Sequence, residues 1–141
     1  MSKSVSIKQA AGESGVKVPT IRYYEEIGLL PAPARTSGNR RMFEDSDMHR
    51  LTFIRHAREL GFEIDAIRTL LSLQDNLNQS CATADAIAKA RLAEVNQRIR
   101  SLMALKTELE GMVEGCTHGK VGSCRVIEVL ADHGKCVHES H

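Results

Sequence analysis

From Thr83 to Gly115 the sequence contains no proline and, before its last residue, only one glycine, Gly111. Nothing in it breaks a helix, so the stretch reads as one continuous rod. At about 1.5 Å of rise per residue the rod is roughly 50 Å long. Along it Leu92, Val95, Ile99, Leu102, Leu109 and Val113 recur in alternating steps of three and four, with Lys106 filling one seam position. That is the stripe of a coiled coil. A rod of this length cannot hide its stripe on the small domain that precedes it, so a second copy of the chain is expected to cover it in a homodimer.

The preceding residues predict short helices separated by turns. Ser6-Ile7-Lys8-Gln9 fits a capping box, with Ser6 accepting from the Gln9 amide and the Gln9 side chain reaching back. Gly15 supplies a left-handed stop, and Val18-Pro19 restarts the chain with Val18 extended and Pro19 at the first helical position. The second helix runs through Thr20 to Ile27 and ends at Gly28. Pro31, Pro33, Ser37, Gly38 and Asn39 then favour a small β-hairpin or wing. Asp45-Ser46-Asp47 caps a third helix carrying Met48, Leu51, Ile54 and Ala57 and ending at Gly61; Ile64, Ile67, Leu70 and Leu71 mark a fourth. His49 and His56 fall on the third helix as surface or packing residues. The fold class is thus mostly α.

Two helices joined by a tight glycine turn and followed by a wing make a winged helix-turn-helix, whose second helix enters the DNA major groove. Net charge is only +1, yet residues 1–43 hold seven basic residues against three acidic ones. Thr20, Arg22, Tyr23 and Tyr24 occupy the early part of the second helix, where base edges and phosphates are reached together. Arg22 suits a guanine or a phosphate, and a tyrosine hydroxyl suits a phosphate. One of the two tyrosines is expected to be a packing residue. Arg40 and Arg41 on the wing would hold adjacent backbone.

Ser6-Ile7-Lys8-Gln9-Ala10-Ala11, the run from Thr20 to Pro31, and Arg40-Arg41-Met42-Phe43 together resemble the MerR family of metal-responsive transcription regulators, nearest its zinc, cadmium and lead-sensing branch. The resemblance implies a winged-helix domain and an antiparallel two-helix dimer coil. It also implies activation by distorting a promoter whose −35 and −10 elements are set too far apart, with RNA polymerase at that promoter as a partner. In one respect the sequence departs from the family. The family's wing usually reads Gly-Tyr-Arg before a variable residue and Tyr, whereas here Asn39-Arg40-Arg41-Met42-Phe43 stands and Arg40 replaces an aromatic. Asn39 still accepts positive φ.

The four cysteines, Cys81, Cys116, Cys124 and Cys136, all lie beyond residue 80. No 18-residue apolar run and no signal-peptide layout occurs, which predicts a cytoplasmic chain, no membrane partner and reduced thiols serving as ligands or redox groups rather than a disulfide frame. Cys81 and Cys116 flank the long helix and cannot share a metal within one chain. If two helices pair antiparallel, Cys81 of one chain meets Cys116 and Cys124 of its partner; a parallel pair keeps them apart. Three thiolates around a divalent ion leave a net charge of −1, and soft sulfur favours zinc, cadmium, lead or mercury over hard cations.

Copper(I) is the alternative effector. The spacing of Cys116 and Cys124 resembles the copper sensors, but the resemblance implies a serine in that branch where Cys81 stands here. His118, two residues after Cys116, is a further candidate ligand, and His133, Cys136 and His138 form a possible second site. Three functional segments follow: a DNA-binding domain over 1–75, a dimerisation helix over 76–115, and a metal-binding loop and tail over 116–141.

Rival readings are a cytosolic metal buffer, which leaves Arg22, Tyr23, Tyr24, Arg40 and Arg41 without a task, and a redox regulator holding an iron–sulfur cluster or a disulfide. An enzyme is the least favoured reading, since no nucleophile-and-base pair or phosphate loop appears.

Overall fold

The structure is a computed structural model that describes residues 4–32, 34, 35, 37, 38, 41–115 and 119–132. Its internal contacts divide it into two units, Met1–Ile87 and Ala88–His141.

The first unit begins with strand β1 (Val5–Ser6) and helix α1 (Ile7–Ser14). Ser6 caps α1 in extended backbone, its Oγ accepting the Gln9 amide at 3.3 Å. The second arm of the expected capping box does not form. Ser6 faces Met42 across the sheet, and the Gln9 side chain turns instead to donate from Nε2 to Glu13 Oε1 at 3.4 Å, one helical turn on. Gly15 ends α1 at φ 75°, and its N–H donates to Ala11 O at 2.9 Å, the left-handed stop read from the sequence.

Helix α2 (Val18–Glu26) starts one residue before the proline-based expectation. Lys17 is the extended residue, and the Ile21 N–H closes the first turn on Lys17 O at 3.0 Å. Pro19 therefore occupies the second helical position, where its missing N–H is equally harmless because the first amides of a helix have no internal acceptor. At the other end Gly28 takes φ 79°, and the amides of Leu29 and Leu30 both donate to Tyr24 O, at 2.9 and 3.2 Å. This folds both leucines into the core, where each is fully buried.

The wing consists of β2 (Ala34–Arg35) and β3 (Arg41–Phe43), antiparallel, with Arg35 opposite Arg41. β1 adds a third strand, in the order β1-β3-β2, so that the buried Val5 and Phe43 face each other. Helix α3 (Asp45–Glu59) is capped one residue earlier than Asp45: Glu44 is the cap, and its N–H donates to Asp47 Oδ2 at 2.9 Å. Leu51, Ile54 and Ala57 are buried and Met48 half-buried, as their spacing predicts, while His49 and His56 are exposed. Gly61 turns the chain at φ 84° into helix α4 (Ile64–Gln74), which buries Ile67 and Leu71.

These helices and the wing share one core: Ile21, Leu29, Leu30, Phe43, Leu51, Ile54, Ile67 and Leu71 are almost wholly shielded from water. Burying each such side chain contributes about 1.5–3 kcal/mol before entropy is counted.

Helix α5 (Ala82–Glu114) is the uninterrupted rod expected. Its predicted stripe is open to solvent in the single chain, from 36% exposed at Val95 to 71% at Val113. On a different face of the same helix Glu108 is buried and Ala104, Gly111 and Met112 are half-buried. Within the segment expected to form the metal-binding loop and tail, a 3-10 turn over Val121–Ser123 leads into helix α6 (Arg125–Ala131). Val129 of α6 is buried, while Ile127 and Leu130 remain exposed. A Cβ on Gly115 would lie 2.5 Å from Arg125 Cγ, so this glycine leaves room for the Arg125 side chain. No described helix is long and apolar enough to cross a membrane.

Candidate nucleic-acid interface and thiol ligands

Helix α2 sorts its residues by face. Ile21 and Tyr24, three apart, enter the core, whereas Arg22 and Tyr23 point outward and Thr20 is half-buried between them. Tyr23 is 48% exposed and Tyr24 only 7%, so Tyr24 is the packing member of the pair. Their rings lie 6.1 Å apart at 47°. Burial raises the Tyr24 phenol above its ordinary pKa, partly offset by the Arg58 guanidinium. Below pH about 10 both folded and unfolded chains keep this proton, and the group adds no pH dependence to stability. Above it the unfolded chain ionises first, and stability falls. Urea unfolding of Tyr24→Phe across that alkaline range should show the fall reduced relative to the unsubstituted chain.

The turn before α2 is held from outside. Arg55 of α3 donates from Nη1 to Ser14 O at 2.8 Å and pairs with Glu59 at 3.0 Å. A Cβ on Gly15 would stand 2.6 Å from that same Nη1. Its positive φ is what calls for glycine at this turn, and a side chain there would also push the Arg55 guanidinium aside. Residues 14 and 55 are far apart in the chain and no spacing joins them, so nothing in the sequence points to Arg55.

On the wing, Arg41 lies in β3 opposite Arg35 of β2. Arg35 is exposed, and it was not among the residues singled out from the sequence, although it contributes to the basic balance of the first 43 residues. Arg40 lies outside the described residues.

Of the thiols, Cys81 is reduced and exposed at the start of α5, its carbonyl accepting the Asp85 amide at 2.9 Å. Cys124 is reduced and half-buried, and caps α6 by accepting the Glu128 amide at 3.0 Å. Cys116, His118, His133, Cys136 and His138 lie outside the described residues. Among the described residues no three histidine, cysteine or acidic side chains converge. Soft, reduced sulfur at the start of the rod and again beyond its end is a donor chemistry that fits a soft metal ion.

A helix–turn–helix with exposed Arg22 and Tyr23 on its second helix, a three-stranded wing and a further helix pair define a winged helix-turn-helix DNA-binding protein. Comparison with known proteins agrees. Residues 5–74 match the family model described as MerR HTH family regulatory protein, and residues 48–112 match the model described as MerR, DNA binding. The chain belongs to the MerR family of helix-turn-helix transcription regulators, and it is not an enzyme.

The HTH-type transcriptional regulator ZntR of Escherichia coli (strain K12) is 38% identical over 128 residues, which span 88% of this chain and 90% of that protein. The heavy metal-dependent transcription regulator 1 of Rhizobium meliloti (strain 1021) is 35% identical over 119 residues, 84% of this chain and 81% of that one. Among solved structures, the transcription regulator PbrR691 from Ralstonia metallidurans CH34, in complex with lead(II), is similar with a TM-score of 0.75. Its sequence identity is 33%, and the match covers 89% of this chain and 98% of that one.

Proposed function

We infer that this chain is a metal-responsive transcription regulator that binds promoter DNA as an antiparallel homodimer and activates transcription when a soft divalent ion (zinc, cadmium, lead or mercury) binds its thiols. The observation that carries the reading is Cys81 at the start of α5, with Cys116 just past the end of the same rod in sequence. Pairing two such rods head to tail brings sulfur from both chains together. The lead(II) complex of PbrR691 and the name of the heavy metal-dependent relative support a soft-metal effector.

In this reading residues 1–75 bind DNA, 76–115 dimerise and 116–141 complete the metal loop. Arg22 and Tyr23 contact the major groove and its phosphates, and Thr20 lies beside them. Tyr24 supports them from beneath. Arg40 and Arg41, with Arg35 across the strand, grip the backbone flanking the groove. Cys81 of one chain, with Cys116 and Cys124 of the other, holds the effector, His118 is a further ligand, and His133, Cys136 and His138 form a second site. A bound divalent ion supplies a crosslink between subunits at a net site charge of −1. Cys124 caps α6, so fixing its sulfur also fixes α6 and the buried Val129. Changing the angle between the two DNA-binding domains then retwists the promoter, a deformation that costs on the order of 1–6 kcal/mol.

Transcription with purified RNA polymerase from the promoter the protein binds, across zinc, cadmium, lead, mercury and copper(I), tests the whole reading. Induction by divalent ions is the expected result; a response confined to copper(I) would transfer the assignment to that metal, and no retardation of duplex DNA would leave a metal buffer. Arg22→Ala should weaken operator binding roughly five- to 150-fold, the loss of about 1–3 kcal/mol that follows removal of one bidentate base contact. Loss of affinity equal on operator and random duplex would make Arg22 a phosphate contact instead.

A further inference from the structure

Arg50 of α3 touches both the exit of α2 and the end of α4. Its Nε–H donates to Leu29 O at 2.7 Å, and its Nη1 lies 3.8 Å from Asp75 Oδ1. Leu29 is fully buried in the segment that closes α2 onto Tyr24 O. Asp75 is the residue that ends α4.

From Asp75 onward the backbone runs through a series of local hydrogen bonds to the thiol at the start of α5. Asn76 N–H donates to Leu73 O at 3.1 Å, Gln79 N–H to Asn76 O at 3.2 Å and Ala82 N–H to Ser80 Oγ at 3.2 Å. Cys81 O accepts from Asp85 at 2.9 Å. One guanidinium therefore bridges the segment leaving the recognition helix to the end of α4, where the connection to Cys81 begins.

We propose that Arg50 is the positioning residue through which a change at Cys81 reaches the recognition helix. The inference rests on the metal-responsive reading above. Coupling between two sites requires a contact whose strength differs between two arrangements of the protein. The two ends of Arg50 are suited to that by being unequal. The bond to the buried Leu29 carbonyl is short and anchors the guanidinium to the segment that closes α2. The ion pair to Asp75 is long, and the Asp75 side chain is 68% exposed, so a small shift of the α4 end makes or breaks it. A cleft of about 320 Å³, lined by Pro31, Ser46, Asp47, His49, Gln74 and Asp75, leaves the α4 end room to move. Asp47 and His49 are the other ionisable groups facing it. Tightening the Asp75 pair in the metal-bound dimer pulls on Leu29, and through it on the last turn of α2.

Three variants of the full-length chain test this: Asp75→Asn, Arg50→Met and the double substitution. Each is titrated with cadmium(II) by thiolate-to-metal absorbance and with operator duplex in the absence of metal, then assayed for cadmium-induced transcription and melting temperature. Asp75→Asn, at an exposed site, folds like the unsubstituted chain and should lose about threefold in induction, within the range of an exposed ion pair. Arg50→Met should lose roughly tenfold, because a charge-assisted bond goes as well. The double variant should be no worse than Arg50→Met, since both remove one link. Cadmium affinity and metal-free operator affinity should not move.

A merely structural Arg50 would lower melting temperature and both affinities together and leave Asp75→Asn silent. Silence of Asp75→Asn, or losses that multiply in the double variant, overturns the proposal while the regulator reading stands. Failure of the unsubstituted chain to take up cadmium or to bind the duplex is read in the same titrations, and it overturns both.

Discussion

Cys81→Ser should abolish induction by zinc, cadmium, lead and mercury while the metal-free protein binds its operator as before. The substitution exchanges a soft thiolate for a hydroxyl that stays protonated at neutral pH. In the proposed site it would thereby remove both a ligand and the negative charge that offsets a divalent ion. Two remaining thiolates would leave such an ion neutralised but under-coordinated, and no longer tied to the partner chain. Cys81 is exposed and makes no contribution to the core of the first unit, so neither the fold nor Arg22 and Tyr23 should be disturbed.

The measurement is transcription across the metal panel beside a gel shift without metal. Retained divalent induction would remove Cys81 from the site, and parallel loss of DNA binding would make it structural. A variant that gains or keeps a copper(I) response while losing the divalent one is the informative intermediate. It would show that Cys116 and Cys124 suffice for a monovalent ion and that Cys81 sets the preference for divalent ions.

Much of the fold was legible because its signals are local. Gly15, Gly28 and Gly61 each end a helix with positive φ, and the steps from Met48 to Ala57 and along α5 display one face of a helix. The strand β1 was not, since two residues preceding a helix carry no alternation, and Val5 becomes a strand only by facing Phe43. The displaced helix starts at Lys17 and Glu44 have a similar origin: several adjacent residues qualify as caps, and packing chooses among them.

On α2 the sequence left Tyr23 and Tyr24 as a pair with one packing member. The helical step from the buried Ile21 is what selects Tyr24. Arg50 and Arg55 were illegible for a deeper reason, as their acceptors are the backbone carbonyls of Leu29 and Ser14, which have no signature in residue type. The cysteines stood out by residue type and position alone, and whether any of them share an ion depends on how two chains pair, which no single chain encodes locally.

That pairing yields the other large expected effect. Introducing Leu102→Glu and Leu109→Glu together should convert the dimer to a monomer and weaken operator binding by on the order of 10²–10⁴, the advantage that linking two half-site contacts confers. Both leucines are more than half exposed in the single chain, at 58% and 59%, so neither supports the chain's own core. The helix itself should survive. A glutamate at 102 stands one turn before Lys106, the favourable order for an ion pair, and Lys106 already approaches Glu110 at 3.7 Å.

In the paired rod, by contrast, the new carboxylates would be taken from water into an apolar seam without partners, which costs far more than the burial it replaces. Circular dichroism should therefore show unchanged helicity, while sedimentation shows half the mass. Metal induction should vanish with the dimer, since the thiols of one chain cannot complete the site across the length of α5. A double variant that still sediments as a dimer would place the interface on another face of α5. A monomer that binds its operator undiminished would break the link between pairing and recognition.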